Sequence, residues 1–108
     1  MTKEEYIERI KMNMPDAIVD EKRSRIMTPN NWSISHFNDK TFSFFKYYFH
    51  ENSYQLTVNF IGEFEDWDEY TLDELCKEYI ESFNKVSLQV KEYIIKHELD
   101  KIEGDFND

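Results

Sequence analysis

Residues 32–61 read WSISHFNDKTFSFFKYYFHENSYQLTVNFI, and their pattern decides the fold class. Trp32, Ile34 and His36 alternate with Ser33, Ser35 and Phe37, and Asn38-Asp39-Lys40 is turn chemistry. Residues 41–49 are a strongly β-prone run and His50 to Ser53 make a second turn. Tyr54, Leu56, Val58 and Phe60 then share one face against Gln55, Thr57 and Asn59. A period of two is what a strand with one buried face requires, because successive side chains leave the pleat on opposite sides. The stretch therefore predicts an antiparallel meander that exits at Gly62. The run from Phe42 to Phe49, apolar at both parities, reads as a central strand covered on both faces.

Upstream, Thr2 and Glu5 have the spacing of a capping box, and Tyr6, Ile7, Ile10 and Met14 repeat at helical intervals before Pro15. This predicts a helix over 3–14. Residues 15–31 carry little signal: 17–20 suit a short strand, and 28–31 are a turn. Downstream, Thr71 and Glu74 form a second capping-box pattern, with Asp73 near the positive end of the helix dipole. Cys76, Tyr79, Phe83, Val86, Val90, Tyr93 and His97 then follow in alternating steps of three and four. A helix over 72–102 would be about 46 Å long against the ~30 Å breadth of a small domain. Either a kink near residues 84–87 or a protruding, partner-packed end is expected, with Gly104 as the C-cap and 104–108 as a frayed tail. The fold class is α+β in a single domain, 1–108: an N-terminal helix, a three- or four-stranded antiparallel meander, and a long C-terminal helix packed on one face.

The chain has 108 residues, of which Leu, Ile, Val and Phe make 28. That is enough apolar material to build a core despite the charge. Thirteen basic residues stand against 23 acidic ones, a formal charge of −10. Direct binding to nucleic acid or to an anionic membrane is disfavoured, since both need positive charge. One cysteine cannot close an internal disulfide, no apolar run approaches the ~20 residues of a membrane span, and residues 1–12 hold acids where a signal peptide would be apolar. A cytoplasmic protein is the expectation.

Catalytic signatures fail one by one. Gly62 and Gly104 are isolated, so no glycine-rich loop can cradle a phosphate. His97-Glu98 lacks the second histidine of a zinc helix. A calcium loop opening at Asp66 would need glycine and glutamate where Thr71 and Lys77 stand. Cys76 lies on the apolar stripe, and His36, His50 and His97 have no metal-ligand spacing. The sequence reads as a non-enzyme with no cofactor and no metal.

What remains is the acid itself. Residues 63–81 hold Glu63, Glu65, Asp66, Asp68, Glu69, Asp73, Glu74, Glu78 and Glu81 against Lys77 alone, net −8, with Phe64, Trp67 and Tyr70 interleaved. Glu74, Glu78 and Glu81 recur at helical spacing opposite the apolar stripe, where like charges repel by a few tenths of a kcal/mol per pair. One reading is a solvated face with the aromatics folded back on the sheet. The other is a docking surface, in which the carboxylates meet Lys/Arg of a basic protein partner and Trp67 with a neighbouring aromatic forms the anchor. Two alternatives stand beside it. Arg23 and Arg25, with Lys22, would capture a phosphorylated metabolite or nucleotide. Or the 72–102 helix would pair with a second copy as a homodimer or assembly component. In physical type the chain is similar to small protein inhibitors: immunity proteins that neutralise basic nuclease toxins, and phage-borne inhibitors of nucleic-acid-handling enzymes. That resemblance assigns no residues.

Overall fold

The computed structural model describes residues 1–106, with side chains described through Leu99. Helix α1 spans Lys3–Asn13, strands β1 to β5 span Ile18–Asp20, Arg25–Met27, Ser33–Phe37, Thr41–His50 and Ser53–Glu63, a 3₁₀ turn covers Phe64–Asp66, and helix α2 runs Glu69–Phe106. The sheet is an antiparallel meander in the order β1-β2-β3-β4-β5. The fold is α+β, with five strands rather than three or four. The uncounted strand is β2: three residues with one buried side chain, Ile26, entered from Ser24 at φ 52°. So short an element has no periodicity to read.

The Thr2 box forms as expected: the Glu5 N–H donates to Thr2 Oγ1 at 3.1 Å and the Thr2 N–H to Glu5 Oε1 at 3.3 Å. Tyr6 and Ile10 are buried one turn apart. Both helices contribute to the same hydrophobic cluster on one side of the sheet, where Tyr6 meets Phe42 and Phe64, and Tyr79 meets Phe44 and Tyr47.

The two-faced apolar character of β4 has two origins: a change of parity among its buried residues, and one buried side chain, Phe45, that lies outside the main cluster. Phe42 and Phe44 are buried, then Phe45 and Tyr47, so the buried set shifts parity midway. The shift coincides with a register slip: Phe44 pairs with Phe60 but Phe45 pairs with Val58, leaving Asn59 as an extra residue in β5. A bulge sharpens the local twist. Beyond it β4 has no β3 partner, and the Tyr47 N–H donates instead to Ser82 Oγ of α2 at 3.1 Å. Phe45 lies on the opposite side, edge-on to His36. The shared face expected for Tyr54, Leu56, Val58 and Phe60 is interrupted by the same bulge, and Tyr54, Leu56 and Val58 are exposed.

Helix α2 begins one turn earlier than the Thr71 pattern implied. Asp68 is the cap: its Oδ1 accepts from the Thr71 N–H and hydroxyl, both at 2.8 Å, and its carbonyl accepts from the Leu72 N–H at 3.3 Å. The helix runs 38 residues without interruption, about 57 Å at 1.5 Å per residue. Of the two ways to accommodate that length, the protein uses protrusion: Val86 is the last buried residue, Val90 is half-buried, and every side chain from 91 to 99 is exposed. Gly104 does not cap the helix, which continues through it to Phe106. Residues 104–106 are helical rather than frayed, and the remainder of the expected tail, 107–108, lies outside the described residues. Among the described residues no helix is long and apolar enough to cross a membrane.

Candidate functional site: the acidic turn and the start of the long helix

The acidic segment is held from beneath by its aromatics. Phe64 is buried against Tyr6 and Phe42, with ring centroids at 5.1 and 5.5 Å, and Trp67 packs edge-on to Phe60 at 4.0 Å. Gly62 makes that approach feasible: a Cβ there would fall within 3.0 Å of both the Phe60 ring and the indole nitrogen of Trp67. The Met1 amino group donates to the Phe64 and Trp67 carbonyls at 2.8 and 3.2 Å. Glu63, Glu65 and Asp66 are exposed around this anchored turn. Trp67, expected as an anchor for a partner, is half-buried and folded back on the sheet. The aromatic that stands out is Tyr70, 75% exposed.

On α2 the carboxylates divide into two directions. Glu69 and Asp73, four residues apart, turn toward α1. Arg9 grips Asp73 through two parallel bonds, Nε to Oδ1 at 2.7 Å and Nη2 to Oδ2 at 2.6 Å, and reaches Glu69 at 3.8 Å. Asn13 Nδ2 adds a third donor to Asp73 at 2.8 Å. The Arg9 bonds, supported by Asn13, hold the Asp73 carboxyl down at about 2. Asp68 is likewise lowered, chiefly by the Thr71 N–H of its cap. These three acids have structural partners.

Glu74, Glu78 and Glu81 face outward on the other side, all exposed, with axial rises of about 6 and 4.5 Å between them. Glu78 Oε2 accepts from Asn59 Nδ2 of β5 at 2.6 Å. Among the described residues, Glu63, Glu65, Asp66, Glu74, Glu78 and Glu81 have no ion-pair partner. The open acid is thus six of the nine carboxylates, with Glu78 tying the helical column to the outer strand.

Sequence reasoning missed Arg9, the internal counter-ion. Its signal was present: it sits beside buried Ile10 and four residues before Asn13, on the flank of α1. What it faces is set by the α1–α2 packing, which no local pattern reveals.

Arg23 and Arg25 each have a contact within the chain. Arg25, in β2, donates through Nη2 to the Asn31 carbonyl at 3.2 Å and to Met27 Sδ at 3.1 Å. Arg23 is exposed and lies 3.8 Å from Asp20 of its own hairpin. Cys76 is fully buried, and burial pushes its thiol up to about 12. His36, in β3, is lowered by its partial burial and then by Arg25 across the ladder. Among the described residues no three His, Cys, Asp or Glu side chains converge as metal ligands. No protein family, curated protein or solved structure matches this chain.

Proposed function

We propose that this chain is a small acidic binding protein, an inhibitor or immunity-type protein that blocks a basic surface on its partner, such as that of a nucleic-acid-handling enzyme or a nuclease toxin. The observation that carries the reading is the open column Glu74-Glu78-Glu81 on α2, together with the exposed Glu63, Glu65 and Asp66 on the aromatic-anchored turn that precedes it. Duplex DNA presents one charge per ~1.7 Å of axis, and fixed carboxylates can compete for the Lys/Arg groups that would otherwise contact it. Carrying them on a helix sets their spacing beforehand, which lowers the ordering cost of association. Asp68, Glu69 and Asp73 support the surface rather than form it, because each is already engaged. A single buried thiol suits a reducing, cytoplasmic setting.

The test is retention of proteins from source-cell lysate on the immobilised protein, eluted with a salt gradient, beside the E74K/E78K/E81K variant. A basic protein held by the natural chain, released by a few hundred millimolar salt and lost by the variant is expected. Equal retention by both, with the variant folded by circular dichroism, overturns the reading.

A second reading, an assembly component, draws on the free arm of α2, where Tyr93, Ile94, Ile95 and Leu99 are all exposed. Apolar side chains left exposed along the outer stretch of a helix suit pairing with another helix.

A further inference from the structure

Strand β5 is the outer edge of the sheet, and it lacks most of the features that protect edges. Such strands usually carry a charge, a proline or a very short length to discourage strand addition. The other edge obeys that rule, since β1 has three residues. Strand β5 has eleven, and positions 53–62 contain neither charge nor proline, the bulge at Asn59 being their one irregularity. Its apolar side chains remain open to solvent: Leu56 is 41% exposed, Val58 47% and Ile61 66%, while Tyr54, stacked on Trp32 at 4.4 Å, is 47% exposed.

Acid borders this edge. The Asn59–Glu78 bond at 2.6 Å places the middle of the open column against β5, Glu74 and Glu81 lie one turn to either side, and the strand itself runs into Glu63, Glu65 and Asp66. We infer that β5 accepts an extended, basic segment of the partner protein as a sixth strand. Its backbone would pair with the free N–H and C=O groups of β5, its apolar residues would cover those of the strand, and its Lys/Arg would reach the column. Alternate residues of a strand are about 6.7 Å apart, close to the ~6 Å between Glu74 and Glu78. A second copy is the poorer occupant, because two chains of charge −10 would meet with both acid columns at the junction. This inference rests on the reading of the acid as a partner surface and specifies how that partner is held.

Three ten-residue probes separate the contributions: an alternating Lys/Val peptide, its Glu/Val counterpart, and the Lys/Val peptide N-methylated at alternate residues, which keeps its charge but cannot pair along that edge. The Lys/Val peptide is expected to bind at least tenfold more tightly than either control, by fluorescence anisotropy. It should also slow hydrogen exchange at alternate amides of residues 53–62, and the E74K/E78K/E81K variant should lose at least tenfold in affinity. If the N-methylated peptide binds as well, or the β5 amides stay unprotected, strand addition is overturned, while a loss in the triple variant still leaves the acidic-surface reading standing. If the triple variant binds as tightly as the natural chain, the acidic reading itself fails. A dimer by light scattering with β5 amides already protected in the free protein assigns the edge to a second copy and overturns the inference, as does absence of Lys/Val binding.

Discussion

At Asp73 three donors converge, two from Arg9 and one from Asn13. A carboxylate receiving a two-pronged guanidinium bond favours its charged form, and this one is held at about 2 against an ordinary value of 3.8. The folded-state value is the lower one, so the stabilisation is complete above the ordinary carboxylate range and is lost as pH falls from about 4 toward 2. Asp73→Asn should therefore cost about 1 kcal/mol near neutral pH, a figure kept small because the side chain is 31% exposed to screening water. Urea titrations at several pH values check this: the gap between the natural chain and the variant should close in acid. A gap constant from pH 7 to pH 2 would mean that the effect is packing rather than charge. The same residue carries a functional lesson. A carboxylate held by its own chain is a poor contact for a partner, so Asp73 belongs to the scaffold and Glu74, its neighbour, to the surface.

Strands and helices were legible to different degrees. The α1 box, the β3–β4–β5 meander and the helical stripe from Cys76 follow from local spacing, and each stands in the structure. The bulge at Asn59 of β5 was not legible, because a bulge is a choice between two registers that tertiary packing makes. The Ser82 hydroxyl that satisfies the Tyr47 N–H comes from 35 residues away. The cap at Asp68 was masked by Thr71 and Glu74, which spell a start one turn later. The β4–β5 hairpin holds a prediction. Its two loop residues, Glu51 and Asn52, have φ of 50° and 65°, the mirror-image turn that matches strand twist but suits Asn-Gly better than Glu-Asn. Replacing the pair with Asn-Gly should raise unfolding stability by about 1 kcal/mol. Chemical denaturation reads it directly, and an unchanged midpoint would show that the loop adopts another conformation in solution.

Over the whole molecule, the radius of gyration is 17.6 Å and the longest axis 63 Å. A compact chain of this length would have a radius near 13 Å, so the excess measures how far α2 extends past the sheet. Removing residues 91–108 deletes side chains that, as far as 99, are all exposed. It should leave the thermal midpoint within a few degrees while shrinking the Stokes radius, because buried packing rather than helix length supplies the stability. A large loss of stability, together with a dimeric mass for the full chain by light scattering, would favour the assembly reading. The amino-acid order by itself determined the α+β class, the meander, the helical faces and the concentration of acid in 63–81, since each depends on spacing within a few residues. Only the tertiary structure decided which carboxylates are open. Arg9 arrives from α1 to neutralise one flank of α2, Asn59 arrives from β5 to meet the other, and the strand order leaves β5 as a long uncharged edge beside the remaining acid. Those outcomes depend on contacts between residues as many as 64 positions apart, and no local pattern encodes the direction in which two packed elements face each other.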